Sequence, residues 1–213
     1  MNGLRGVIFD CDGVLFESRG ANLAFYNAVL AHFDEAPVLP EETARAHLCH
    51  TAASPRVLEV LLGSERATSG LAYAASLDYR QFIPFMTPEP DLEPSLARLA
   101  KSLPLAVATN RGGSVREVLR HFALADFFSV VVTSKDVPAP KPSPDMLLLA
   151  LDQLKLAPAE VVFVGDSELD QIAAKAAGIR FVAYKGMIEG DYAVNSHREL
   201  VTLLAEGLGV TVS

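Results

Sequence analysis

Residues 7–16 read VIFDCDGVLF, a run of strand-forming residues that ends on Asp10, with Asp12 two residues further and Gly13 immediately after it. Asp and Gly are ordinary strand-ending residues, so a turn accounts for one carboxylate. It does not account for two. Acids separated by a single residue at the mouth of a buried strand repel each other unless a cation lies between them, so the pair requires a partner from elsewhere in the chain.

Similar runs recur at 6–9 (GVIF), 105–109 (LAVAT), 130–133 (VVVT), 161–165 (VVFVG) and 180–184 (RFVAY). None alternates with polar residues, and helical patterns separate the later ones. This predicts an α/β fold: a doubly wound parallel sheet of Rossmann-like type, covered by helices on both faces. One helix is predicted with Ser114 as its cap and Val115, Val118, Leu119 and Phe122 inward. A second starts at Ser143 with Pro144 in its first turn and Leu147, Leu148 and Leu151 inward, and a third runs from about Leu169 to Gly178.

Between the first and second runs there is more helical pattern than one crossover needs. Leu23, Tyr26, Leu30 and Phe33 form a stripe. Pro40 opens PEETARAHLCH, Ser54 and Pro55 open SPRVLEVLLG, and Leu71, Ala75, Tyr79 and Phe82 form a further stripe before Pro84. Residues 17–87 are therefore predicted to be an inserted α-helical cap domain, and 1–16 with 88–213 the α/β core domain. TPEPDLEP (87–94) reads as the return linker, before a helix carrying Leu96, Leu99 and Leu103.

A chain of 213 residues, half of them hydrophobic, suffices for one good core with a smaller appendage. The formal charge of −8 speaks against a nucleic-acid surface, although a local cation can still admit a small anion. No apolar run approaches the roughly 20 residues of a membrane span, and no secretory signal is visible. The expectation is a cytoplasmic protein, monomer or homodimer, with no membrane or nucleic-acid partner. Cys11 and Cys49 suggest neither zinc spacing nor a disulfide framework.

The partner for the first acidic pair is sought at the other strand ends. Asp166 and Asp170 stand in GDSELD, Thr109 and Asn110 end the LAVAT run, and Lys141 sits between Pro140 and Pro142. In open parallel sheets ligands bind beyond the carboxyl ends of the strands, where all of these fall. Carboxylates without His or Cys companions favour Mg²⁺, and Lys141, Thr109 and backbone N–H groups suit the remaining oxygens of a phosphate. One carboxylate of the first pair can attack phosphorus and the other can handle the leaving-group proton.

These segments resemble the motifs of the haloacid dehalogenase-like hydrolase superfamily, in its phosphatase branch with a helical cap. DCDGVLF is similar to the first motif, ATN to the second, KPSPD to the third, and GDSELD with QIAAKAAG to the fourth. The resemblance implies that Asp10 is a nucleophile forming an aspartyl phosphate and Asp12 the general acid and base. It implies Mg²⁺ on Asp10, the Asp12 carbonyl and Asp166, with Asp170 in support, and phosphate on Thr109, Asn110 and Lys141. It also implies that the first and fourth strands lie side by side. The expected partner is a small phosphorylated metabolite. A phosphosugar mutase of the same fold, or a nonenzymatic phospho-switch or partner-binding protein, stays open as the alternative.

The histidines form no ligand cluster. His32, His121 and His197 read as surface residues, whereas His50, with Arg56 in HTAASPR, lies where a cap loop can recognise substrate.

Overall fold

The apolar runs are strands, and within each one successive side chains go to opposite faces of one sheet. The computed structural model describes residues 3–186 and 188–207. Its strands are β1 (Gly6–Phe9), β2 (Phe16–Glu17), β3 (Thr87–Pro88), β4 (Leu105–Thr109), β5 (Phe128–Thr133), β6 (Val161–Gly165), β7 (Arg180–Tyr184) and β8 (Tyr192–Val194). All but β2 and β3 join a parallel sheet in the order β5-β4-β1-β6-β7-β8. The strand β8 was not expected, because three residues between polar neighbours offer no apolar run to recognise.

The helices are α1 (Arg19–His32), α2 (Thr43–Thr51), α3 (Ser54–Leu62), α4 (Ser64–Ser76), α5 (Leu92–Leu99), α6 (Ser114–His121), α7 (Asp145–Leu154), α8 (Glu168–Ala177) and α9 (His197–Thr202). On one face of the sheet Val7, Phe9, Val107 and Val164 pack against α5, α6 and α9. On the other, Ile8, Ala106, Ala108 and Phe163 pack against α7 and α8. Each large side chain buried in this way contributes about 1.5–3 kcal/mol, so both faces must be covered and neither strand face can be polar.

The chain leaves the sheet through β2, runs through α1–α4, and returns through β3. Glu17 and Thr87 are register partners in the antiparallel β2–β3 ribbon, so the departing and returning strands are tied together. The expected linker at 87–94 is thus partly strand and partly the start of α5. The helical segment has an apolar cluster of its own, with Tyr26, Val29, Leu30, Leu58 and Leu61 at its centre.

Several local expectations need correction. The helix α4 ends at Ser76, and Leu77 is extended (ψ 134°). Tyr79 lies in a separate 3₁₀ turn capped by Asp78, and Phe82 ends that turn. The stripe of Leu71, Ala75, Tyr79 and Phe82 therefore does not exist as one helix face, and Ala75 is exposed. The helix α2 starts at Thr43 rather than near Pro40, α6 is preceded by Gly113 with Ser114 as its first residue, and α7 begins at Asp145. Leu147 and Leu151 face inward as expected, with Met146 and Ala150 beside them, whereas Leu148 lies off that face and is 46% exposed. His197 is fully buried, not a surface residue: its Nε2 lies 2.8 Å from the Val14 carbonyl, beneath the loop that follows β1. His32 and His121 are exposed as expected. Among the described residues no helix is long and apolar enough to cross a membrane.

Candidate active site

β1 lies between β4 and β6 in the sheet, with Phe9 in register with both Val107 and Val164. The first residues past these strand ends therefore converge, and the two acidic pairs share one place. Asp10 continues β1, its N–H donating to the Val164 carbonyl at 2.9 Å. The chain then turns sharply at Gly13, whose φ is +79°, and a Cβ there would stand 1.9 Å from Asp166 Oδ2. Only glycine permits both the backbone conformation and that approach.

Lys141 is the fixed cation of the site. Its ammonium, buried at 4% exposure, stands 2.5 Å from Asp170 Oδ1 and 2.8 Å from Asp10 Oδ1. The Asp10 contact is an ion pair without hydrogen-bond alignment. Asn110 holds the Lys141 backbone from both sides: its Oδ1 accepts from the Lys141 N–H at 2.9 Å and its Nδ2 donates to the Lys141 carbonyl at 3.0 Å. The same Nδ2 donates to the Thr51 carbonyl at the end of α2, which ties the helical segment to the sheet. Asn110 was expected among phosphate ligands, but its side chain is already committed to these contacts. Thr109 is buried, and its hydroxyl accepts from the Arg111 N–H at 3.1 Å.

Asp170 is fully buried and saturated. Its Oδ2 accepts from the Ser167 hydroxyl at 2.6 Å and from the Ser167 N–H at 3.1 Å, an arrangement that also caps α8. Asp10, Asp166 and Asp170 each bring a carboxylate oxygen within 4.8 Å of the others. Burial first, then the charges of Asp170 and Asp12 against the opposing pull of Lys141, push the Asp10 carboxyl up to about 7. Burial first, then Asp10 and Asp170, push Asp166 up to about 8. Carboxyls lifted this far by enclosure and mutual repulsion, with oxygen donors alone, fit a hard divalent cation.

Asp12 behaves in the opposite way. Burial raises its carboxyl too, but the Arg111 guanidinium, with help from the Ser18 hydroxyl, outweighs burial and holds it at about 2. The Arg111 Nε donates to Asp12 Oδ2 at 3.1 Å while its Nη2 donates to Oδ1, and Nη2 also donates to Asn22 Oδ1 at 2.8 Å. Arg111 Nη1 donates to the Tyr79 hydroxyl. The Asp12 carboxylate is therefore turned to Arg111, and any part it has at a metal falls to its main-chain carbonyl.

Asp10 and Asp12 open on a cavity of about 370 Å³ whose other walls include Tyr26, His50, Ser54 and Tyr79. His50 is buried here, with Nδ1 3.2 Å from Asn22 Nδ2. Arg56 is not brought to this cavity. It is exposed, pairs with Glu59 at 2.9 Å one turn along α3, and lines a separate groove beside Pro140 and Glu168. Arg111, Asn22 and Tyr79 were missed by sequence reasoning. The only signal for Arg111 was its place directly after the strand-ending Thr109 and Asn110 and before Gly112 and Gly113.

Residues 7–184 match the family described as haloacid dehalogenase-like hydrolase. A phosphoglycolate phosphatase of Neisseria meningitidis serogroup A is 34% identical, over 82% of this chain and 77% of the relative. One from Yersinia pseudotuberculosis is 31% identical, over 93% of this chain and 88% of the relative. Among solved structures, a haloacid dehalogenase superfamily hydrolase of subfamily IA from Geobacter sulfurreducens superposes with a TM-score of 0.83 at 38% identity, covering 94% of this chain and 99% of that one.

Proposed function

Because the chain belongs to the haloacid dehalogenase-like hydrolase family, we propose that this phosphatase hydrolyses a small phosphomonoester through an aspartyl phosphate on Asp10, with Mg²⁺ held by Asp10, the Asp12 carbonyl and Asp166. The observation that carries this reading is the placement of one buried lysine between Asp10 and Asp170, with Asp166 beside them. When bound, the metal offsets charge between the nucleophile and a phosphate oxygen.

The protein groups supply the rest. Lys141, 2.8 Å from Asp10, opposes the rise that burial imposes on the Asp10 carboxyl, and its ammonium is held well above its ordinary range: burial lowers it, but Asp10 and Asp170 more than compensate. Asp10 attacks phosphorus. The Thr109 hydroxyl and Lys141 take the equatorial oxygens, while Asn110 keeps Lys141 in position from behind. Asp12 gives a proton to the departing oxygen and takes one from the water that cleaves the aspartyl phosphate. To act as an acid it must be released from Arg111 and take up a proton from solvent before the ester oxygen departs.

We take residues 17–87 as a cap that closes the cavity and 1–16 with 88–213 as the catalytic core. The relatives' activity makes phosphoglycolate the first substrate to test. A cytoplasmic setting accords with Cys11 and Cys49 both being free and buried. The test is phosphate release from phosphoglycolate with Mg²⁺ and with excess chelator. Release only with the metal is expected; equal rates in both contradict the reading.

A further inference from the structure

The His50 side chain is 5% exposed, yet its Nε2 has no hydrogen-bond partner. The contacts around it determine which nitrogen carries the ring proton. A guanidinium only donates, so the Asn22 atom 2.8 Å from Arg111 Nη2 must be the amide oxygen. The Asn22 nitrogen then faces His50 Nδ1 at 3.2 Å and Asp12 Oδ1 at 3.4 Å. An amide nitrogen also only donates. Nδ1 must therefore offer its lone pair, which leaves the proton on Nε2 and excludes a doubly protonated ring in this arrangement. Nε2–H is buried in the wall of the cavity that His50 lines, 3.9 Å from Asp166 Oδ2 and too far for a hydrogen bond. A buried donor left in this state is costly unless a ligand provides the acceptor.

We infer that Arg111, acting through Asn22, locks His50 in its Nε2–H tautomer, and that this N–H donates to a carboxylate oxygen on the leaving-group side of the substrate. The side follows from the cavity that His50 shares with Asp12, the residue that serves the departing oxygen, and with Tyr26 and Ser54 of the helical segment. The inference rests on the phosphatase reading and adds to it the class of ester selected: one whose alcohol carries an acid group near the ester oxygen. Arg111 and Asn22 are positioning residues in this scheme.

The test compares kcat/KM of the full chain with Mg²⁺ on phosphoglycolate and on p-nitrophenyl phosphate, which lacks the carboxylate. His50→Ala should lose about 10- to 100-fold more on the first than on the second. His50→Gln, whose amide nitrogen reaches the place of Nε2, should recover most of that difference, and His50→Asn should not. In parallel, nitrogen NMR of the ring should show a single Nε2-protonated tautomer in the unaltered protein and a mixture in Asn22→Leu. Equal losses on both esters, or no recovery with Gln, overturn the recognition role. A ring protonated on Nδ1 overturns the tautomer lock. A protein that cleaves neither ester overturns the phosphatase reading and with it the substrate class, while the tautomer measurement still decides the Arg111–Asn22–His50 chain.

Discussion

Arg111 grips both carboxylate oxygens of Asp12, although 99 residues separate them in the sequence. The pair is buried on both sides, with side-chain exposures of 5% and 10%. Planar two-point pairing in such a place holds Asp12 ionised and fixed in direction. Removing Arg111 leaves a buried charge alone.

Arg111→Met should therefore cost about 3–5 kcal/mol of folding stability. In the molecules that fold, burial acts on Asp12 without its counterweight. Its pKa rises, and because Asp12 must be protonated to serve the departing oxygen, the alkaline limb of the pH profile of kcat/KM should move to higher pH by about one unit or more. Arg111→Lys should recover only part of this, because a point charge cannot pair with both oxygens. An unmoved alkaline limb in Arg111→Met would show that Asp12 does not govern it. The sign for stability is also set: Asp12 is depressed from 3.8 to about 2, so its contribution is complete above pH about 4 and is lost as pH falls through about 2.

Asp10 and Asp166 act in the reverse sense. Their carboxyls, raised to about 7 and about 8 from 3.8, keep protons in the folded protein that the unfolded chain has released. Stability of the metal-free protein should fall as pH rises from about 4 to about 8. Mg²⁺ should oppose that fall, raising Tm by on the order of 5 °C at pH 8 and by much less at pH 5. A Tm at pH 8 that does not respond to Mg²⁺ would contradict the cation site.

Gly13→Ala tests the turn that brings the acidic pairs together. The added methyl meets Asp166 Oδ2 at 1.9 Å and the backbone must hold φ at +79°. The expected loss is about 100-fold or more in kcat, with secondary structure by circular dichroism retained and stability reduced by about 1–3 kcal/mol. Activity within about threefold of the parent would mean that Asp166 can move without consequence.

What the sequence disclosed follows from which interactions are local. Uniformly apolar runs mark a strand buried on both faces, so the strand ends, and with them Asp10, Thr109, Lys141 and Asp166, were legible as one group. The helical segment was legible as an excess of helix between the first two long strands. Its inner boundaries were not: the turn at Leu77 and Asp78 is stabilised by an aspartate cap and carries no proline or glycine. Arg111, Asn22 and Tyr79 escaped because their roles come from partners on three separate elements, which only the folded chain assembles. His197 escaped for a similar reason, since a lone histidine in SHRELV reads like any surface residue until the loop after β1 is laid over it.

The central claim is that Asp10 carries the phosphoryl group, and Asp12→Asn exposes it. An aryl phosphate with an acidic phenol needs little proton donation to leave, whereas water attack on the aspartyl phosphate still needs the base. Turnover of an alkyl phosphate should fall by about 10²–10⁴-fold. On mixing the variant with p-nitrophenyl phosphate and Mg²⁺, the account predicts a burst of phenol close to one equivalent, followed by a stall. Intact-protein mass spectrometry should then show one added phosphoryl group, mapped to Asp10. A phosphoryl group mapped to another residue, or steady release of phosphate with no adduct, would contradict it.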